Sequence, residues 1–531
     1  MYRILITEDI GPAGLALIDE ADDAAYDMIH LPERERLLEI IGDYDAIITR
    51  SGTAMDEEVF AAATNLKIAA RAGVGLDNID VDAATVRGIQ VMNTPGANTL
   101  GATELTMALL LGLCRNLPKA NDSIKKGEWT RKVFMGTELN GKTLGVVGLG
   151  RIGSRVATRC QAFGMTVIAY DPYIAEEIAE RIRVELVAEL DELLARADII
   201  TIHTPLNEET CGMIAAPEIA KMKDGVRIVN AARGGIIEEQ ALYDALKSGK
   251  IAGAALDVYS NEPPKTDLLQ KLIRLPNVVT TPHIGASTHE SQHGVAVQVA
   301  QQVLDALRGD NYRNIVNMPF AEGVDYQTLA PYMTLAEKIG ALQMQLIHGR
   351  VSRVEVEYRG EELEPHTKLL TVGLLKGMLA PILSDTVNYV NAPRLAAERG
   401  ILVSQARHPA AEDYMNVILC RVVSNEESRL IGGALFLRTE PRIVLIDNMR
   451  LDAVADGWTL VMTSHDEPGV MGRVGTLLGE HGVNIAHWHM GREAPGGKQI
   501  SIINIDSPAD EEALEAITDL PQVIHLEQVS L

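Results

Sequence analysis

Three things are scarce in this chain: paired cysteines, positive charge and long apolar runs. The four cysteines of its 531 residues, Cys114, Cys160, Cys211 and Cys420, form no C-x-x-C pair, so neither a disulfide framework nor a zinc site is suggested. Lysine and arginine number 48 against 73 acidic residues, a net charge of −25. Such a surface repels polyphosphate backbones and argues against nucleic-acid binding, while leaving room for local basic sites that take small anions. The most apolar run, Leu105 to Cys114, is about half of the ~20 residues a membrane span needs and reads as a buried helix. The opening Tyr2-Arg-Ile-Leu-Ile-Thr7 reads as a short strand rather than a signal peptide. What remains is the profile of a cytoplasmic enzyme, long enough for roughly three or four domains of ~150 residues.

What the chain does contain is most legible at Thr143-Leu-Gly-Val-Val-Gly-Leu-Gly-Arg-Ile-Gly153. A buried strand runs into Gly148, Gly150 and Gly153, a helical pattern follows from Ser154 to Phe163, and a second strand, Met165-Thr-Val-Ile-Ala-Tyr-Asp171, comes after Gly164. Gly148 permits the tight turn, Gly150 lets backbone approach a pyrophosphate, and Gly153 lets helix and strand pack closely. The helix start offers free N–H groups and a positive dipole to phosphates. Asp171 accepts from a ribose 2′-hydroxyl and repels a 2′-phosphate, which favours NAD over NADP. G-x-G-x-x-G alone is a weak signal, but here strand, helix, strand and terminal acid are all in place.

Around this unit, strands and helices alternate. Tyr2–Thr7, Ala46–Thr49, Lys67–Ala70 and Ile89–Met92 predict a first parallel sheet, and a helical stretch from Thr99 to Gly127 leads into the dinucleotide unit. Strands at Ile199–His203, Arg227–Asn230, Gly253–Leu256 and Val278–Thr281 continue a doubly wound α/β pattern. A helix from His289 to Leu307 could carry the chain back to the first domain. The expected division is therefore a discontinuous substrate domain (1–98 and 287–312), an NAD domain (99–286), an α+β domain over 313–452, and a tail (457–531) whose βαββαβ order is ferredoxin-like.

Three segments that follow strands carry chemistry: Asn230-Ala-Ala-Arg233-Gly-Gly, Asp257-Val-Tyr-Ser-Asn-Glu262-Pro-Pro and Thr281-Pro-His283-Ile-Gly-Ala-Ser287. Singly, each is better read as a salt bridge, a solvated turn and a satisfied histidine. Together, in order, behind a dinucleotide fold, they suit hydride transfer on a 2-hydroxy acid. His283 removes the hydroxyl proton near neutral pH, Glu262 orients it and raises its pKa, and Arg233 holds a substrate carboxylate with its planar fork. Arg50 and Arg71 follow strands of the first sheet, and Arg131-Lys132 lie in a polar segment; these could form a cationic pocket for a carboxylate and a phosphate.

Here the chain resembles the NAD-dependent D-isomer 2-hydroxyacid dehydrogenases, on Arg71-Ala-Gly-Val-Gly-Leu-Asp-Asn-Ile-Asp80, the glycine fingerprint, His203-Thr-Pro-Leu206, Asn230–Gly235, Asn261-Glu-Pro-Pro264 and Pro282–Ser287. The resemblance implies a flavodoxin-like substrate domain interrupted by the Rossmann-type NAD domain, with Arg233, Glu262 and His283 catalytic. It puts Arg151 and Ile152 on the pyrophosphate, and Thr204, Ala231, Ala232, Asp257, Gly285 and Ala286 along the cofactor. Gly73, Asn98 and Thr99 become substrate-loop candidates beside Arg50, Arg71 and Arg131. Val74 stands where related enzymes often carry threonine.

Within that family the chain looks most like the long-form 3-phosphoglycerate-oxidising members. The tail resembles an ACT domain, through Asp466-Glu-Pro-Gly-Val470 and Gly482-Val-Asn-Ile485, and the middle region resembles their intervening, allosteric substrate-binding-like domain by position and length. This implies oxidation of 3-phosphoglycerate to 3-phosphohydroxypyruvate at the start of serine biosynthesis, a homodimer or homotetramer, and L-serine gripped by Asp466 and Asn484. Ser464 stands where relatives use a larger side chain. His487 and His489 share one side of a predicted strand; with no third ligand apparent, an interface strand is expected there and no metal site. The rivals are another 2-hydroxyacid dehydrogenase, such as a glyoxylate or hydroxypyruvate reductase, and a non-catalytic NAD-sensing interaction protein on the same fold.

Overall fold

The computed structural model describes residues 1–319, 326–383, 387–408 and 414–531. The first sheet has five parallel strands in the order Ala24–Met28, Tyr2–Ile6, Ala46–Thr49, Ile68–Arg71, Gln90–Met92. This is the flavodoxin-like order. Its middle strands are continuous apolar runs because helices cover both faces. The edge strand Ala24–Met28, half polar and mostly exposed, carried no such signal in the sequence.

The seven-stranded second sheet is wholly parallel, with Thr143–Val147 in its interior. Thr166–Tyr170 and Glu185–Leu186 lie to one side, and Ile199–Ile202, Val226–Asn230, Ile251–Leu256 and Val278–Thr280 to the other. The strand order reverses beside Thr143–Val147, so the crevice at the carboxyl ends opens there. The expected helical stretch from Thr99 to Gly127 is two helices, Thr99–Cys114 and Leu117–Lys125, broken where Asn116 takes a left-handed conformation, φ 53°.

Helix His289–Arg308 ends at Gly309, φ 79°, a left-handed cap. It lays Val295, Val299, Val303 and Leu304 against Ile4, Ile6, Ile48 and Ile68 of the first sheet. A Cβ on Gly14 would stand 2.7 Å from the Ala296 carbonyl, which measures how closely this helix packs on Pro12–Asp19. The NAD-binding unit is thus inserted into the flavodoxin-like one.

Beyond it, Tyr326–Leu346 and Thr367–Leu379 pack on a six-stranded sheet that is antiparallel except for Leu402–His408 beside Val351–Arg359. The last unit is a four-stranded antiparallel sheet, ordered Ile485–Arg492, Lys498–Ile505, Trp458–His465, Val523–Ser530, with helices Val470–Glu480 and Glu511–Thr518 on one face. Its other face, through Val461, Ile500, Ile502 and Val529, joins the same core as the intervening unit. Among the described residues no helix is long and apolar enough to cross a membrane.

Candidate active site

The glycine turn is built as its spacing demands. Gly148 has φ 90°, and a Cβ there would lie 2.8 Å from the His203 carbonyl. A Cβ on Gly153 would overlap the Gly148 carbonyl, whereas nothing lies within 4 Å of the place where one on Gly150 would stand. That open position, at the N-terminus of helix Arg151–Ala162, is where backbone can meet a pyrophosphate. Asp171 accepts from the Leu149 N–H (2.8 Å) and the Tyr173 N–H (3.0 Å), so its carboxylate is fixed at the turn. Across the crevice the Thr204 hydroxyl is buried without a partner, as a wall awaiting a polar ligand would be. Orphan hydroxyl, open glycine and helix start together fit NAD. Neighbouring His203 is a core residue: burial pushes its pKa down to about 4, and its Nε2 lies 2.9 Å from the Thr201 hydroxyl.

His283 and Glu262 come together, Nδ1 to Oε2 at 2.7 Å, with both side chains part-exposed. His283 is held at φ 52°, a conformation uncommon outside glycine that marks functional turns. The buried Asp257 builds this turn: its carboxylate accepts from the Thr281 hydroxyl (2.6 Å), the Ile284 N–H (2.9 Å) and the Gly285 N–H (3.0 Å). The bond to Glu262 raises the His283 pKa against the opposing effect of burial. Burial alone would raise Glu262, but the His283 bond and the Tyr259 N–H outweigh it, and its carboxyl titrates below the usual range. Glu262 is therefore a carboxylate that favours the protonated form of His283, with Arg233 near enough for its charge to act on both.

Arg233 is presented by a turn that Asn230 folds, donating to the Arg233 carbonyl at 2.9 Å and accepting from the Ala232 N–H at 3.0 Å. A Cβ on Gly234 would overlap the Tyr259 carbonyl, so this glycine lets the Glu262 loop approach. Asp77 binds two arginines through one oxygen, Arg233 Nε at 3.4 Å and Arg71 Nη1 at 3.3 Å. Burial would raise the Asp77 pKa, but Arg233 and Arg71 hold it below the usual range. Arg50 joins from the next strand: its Nη2 donates to Gln292 Oε1 (2.7 Å), whose Nε2 donates to the Ala286 carbonyl (2.9 Å). Arg71 thus reaches Arg233 through Asp77, and Arg50 reaches the Ala286 carbonyl beside the His283 turn through Gln292. Asp77, Gln292 and Glu8, which accepts from the Arg50 N–H (2.8 Å), were not singled out in the sequence. Asp77 lay inside the quoted Arg71–Asp80 motif, while Gln292 had only its place one turn into a long helix.

The remaining candidates are more dispersed. Gly73 lies two residues after Arg71 and its carbonyl accepts from the Thr94 N–H (2.8 Å); Asn98 and Thr99 open helix Thr99–Cys114. Arg131 and Lys132 are exposed on the turn Arg131–Phe134, beside Trp129 (76% exposed) and Met135 (82%), and are bonded neither to the Arg71–Asp77–Arg233 set nor to Arg50. In the tail, Asp466 accepts from Arg492 Nη1 (3.2 Å) and the Gly496 N–H (3.1 Å), Asn484 donates to Asp506 (2.7 Å), and the buried Ser464 hydroxyl accepts from Gln499 (2.9 Å). Asp466 and Asn484 are not bonded to each other.

Gly75 offers a test of the arginine geometry. A Cβ there would overlap the Arg233 guanidinium and stand 2.6 Å from Asp77. Gly75→Ala should displace Arg233 and lower kcat/KM by about 10²-fold, the scale of a 1 Å misplacement, without lowering Tm. Wild-type kinetics from that variant would show the guanidinium is not where catalysis needs it.

Comparison with known proteins finds relatives of the whole chain. Residues 107–285 match the D-isomer specific 2-hydroxyacid dehydrogenase NAD binding domain, residues 328–447 the D-3-phosphoglycerate dehydrogenase intervening domain, and residues 458–522 the ACT domain. The chain is 46% identical to D-3-phosphoglycerate dehydrogenase of Archaeoglobus fulgidus over 94% of each chain, and 44% identical to that of Methanocaldococcus jannaschii over the full length of both. Among solved structures, a glyoxylate reductase from Paecilomyes thermophila is 35% identical, with TM-score 0.55, over 59% of this chain and 98% of its own. D-Lactate dehydrogenase from Aquifex aeolicus, complexed with NAD and lactic acid, is 31% identical, with TM-score 0.53, over 58% and 96%.

Proposed function

This chain belongs to the D-3-phosphoglycerate dehydrogenase family, and from that premise we propose how its own residues carry the reaction. It is an NAD-dependent dehydrogenase that oxidises 3-phospho-D-glycerate to 3-phosphohydroxypyruvate, the first step of L-serine biosynthesis. The observation that carries the residue assignment is the 2.7 Å His283–Glu262 pair facing Arg233. NAD, when bound, supplies the hydride acceptor. Gly148, Gly150, Arg151, Ile152 and Gly153 hold its pyrophosphate, Asp171 its ribose, and Thr204, Ala231, Ala232, Asp257, Gly285 and Ala286 flank the rest. His283 takes the C2 hydroxyl proton on Nε2 while Nδ1 stays bonded to Glu262, which stabilises the imidazolium formed. Arg233 holds the substrate carboxylate and polarises the developing carbonyl. Arg50 and Arg71, with Gly73, Asn98 and Thr99, take the phosphate end. Arg131 belongs to this set only if another copy of the chain brings it there.

NADH formation from 3-phosphoglycerate and NAD⁺, with a trap for the keto acid and a titration with L-serine, tests the reading. Activity with glyoxylate, hydroxypyruvate or 2-oxoglutarate but not 3-phosphoglycerate would move the substrate; no activity with any hydroxy acid would favour the NAD-sensing alternative. Asp171→Ala should weaken NAD binding and lessen discrimination against NADP. Because Asp171 also holds the Leu149 N–H, the ratio of the two cofactors is the decisive readout, and an unchanged ratio would place the specificity elsewhere.

The coarser features of the chain support three further assignments. Exposed apolar Leu117, Ile124, Trp129, Val133 and Met135 form a patch of the kind that marks association, consistent with a homodimer or homotetramer. The ACT match supports an allosteric amino-acid effector, serine, at Asp466 and Asn484; inhibition and binding heat at millimolar serine would support it, and their absence would remove it. Strong negative charge and free cysteines are consistent with a cytoplasmic location.

A further inference from the structure

Two histidines and a glutamate, from elements far apart in sequence, converge where the tail sheet meets the intervening unit. Among the described residues, His348, His525 and Glu527 bring one ligand atom each to within 4.8 Å of one another. His348 follows the end of helix Tyr326–Leu346. His525 and Glu527 lie two apart on strand Val523–Ser530, hence on one side of it. Both elements are anchored. Gln345 donates to the Ser530 carbonyl and accepts from the Ser530 N–H, each at 3.0 Å, and the His348 N–H donates to Glu427 at 2.7 Å.

One of the polar atoms has no hydrogen bond of its own. His525 Nε2 is buried without a hydrogen-bond partner, a costly state for a ring nitrogen. It lies 3.4 Å from Glu527 Oε1, about the edge of a tetrahedron whose centre is ~2.1 Å from each ligand. The imidazoles of His348 and His525 meet edge to face, centroids 5.4 Å apart, so a small rotation of the exposed His348 closes the third corner. Two imidazoles and a carboxylate suit zinc and its first-row neighbours better than calcium or magnesium.

We propose that His348, His525 and Glu527 bind a divalent zinc-type cation that clamps the ACT domain to the intervening domain. The clamp is remote from the His283 turn and independent of serine. A cation bound only by the docked arrangement stabilises it by mass action. It carries no local signature, unlike His487 and His489, which lie two apart on the opposite edge strand of the same sheet.

The test is isothermal titration of the full-length, chelator-treated protein with Zn²⁺, repeated with Co²⁺ for its visible absorption, alongside thermal unfolding. Wild type should take up one equivalent per chain with a Kd below about 10 µM, and its Tm should rise. His348→Ala and His525→Ala, both at part-exposed or exposed positions, should each weaken binding by more than the about 10- to 100-fold typical of groups that only support a ligand. A His487→Ala/His489→Ala double variant should keep the equivalent, as should protein alkylated at exposed Cys211. No uptake by wild type, or an equivalent that survives loss of His348 and of His525, overturns the proposal. So does an equivalent lost only with His487 and His489 or with Cys211.

Discussion

Replacing His283 by alanine is expected to lower turnover by about 10²–10⁴-fold, the usual contribution of a positioned general base. Because His283 sits at φ 52°, alanine adds backbone strain, and asparagine, which tolerates that region, is the cleaner partner variant. Both should lose turnover alike, the asparagine variant with the wild-type Tm; near-normal turnover in the asparagine variant would refute the assignment. The pH dependence has a definite sign. Glu262 favours the imidazolium, so His283 releases its proton at a higher pH than a free imidazole does. Oxidation needs the neutral ring and should rise with pH through that raised value, whereas reduction needs the imidazolium and should fall. Glu262→Gln removes the largest raising influence, so the acid limb of kcat/KM for oxidation should move to lower pH. An acid limb that stays in place would mean another group titrates.

The parts of this molecule that were readable from sequence are those fixed by local chemistry. The glycine spacing and the acid ending the next strand each act within a few residues, and the structure has them at the turn and the strand end. Arg233, Glu262 and His283 could be paired beforehand because parallel strands deliver their carboxyl ends to one edge. What could not be read depended on contacts between distant segments. Asp77 gains meaning only when Arg71 and Arg233 close on it from different sheets, Gln292 only when it bridges Arg50 to Ala286, and the His348–His525–Glu527 group only when two domains dock. The edge strand Ala24–Met28 was invisible because its five residues, Ala-Ala-Tyr-Asp-Met, are exposed at adjacent positions as well as alternate ones and so show no period of two. The break at Asn116 carried a local signal, since Pro118 stands in the first turn of the second helix, where proline marks a helix start.

Arg233→Met should be the second most damaging single change. Truncating one member of a partly buried, hydrogen-bonded charge pair costs about 2–5 kcal/mol, or about 30- to several-thousand-fold in kcat/KM. The geometry says how that loss divides. Arg233 and Arg71 share a single Asp77 carboxylate oxygen, so the cluster carries a net positive charge before substrate arrives, and Asp77 pre-aligns both guanidiniums without neutralising them. Holding the substrate carboxylate acts in ground and transition states alike and should appear in KM; polarising the developing carbonyl acts only in the transition state and should appear in kcat. Arg233→Lys keeps the charge but not the planar fork, and should recover part of the KM loss and little of kcat. NAD affinity, measured by fluorescence titration, should be nearly unchanged in both variants. A methionine variant whose kcat/KM stays within tenfold of wild type would mean that Arg71 and Arg50, not Arg233, hold the substrate carboxylate, and the substrate would then lie the other way round between the two domains.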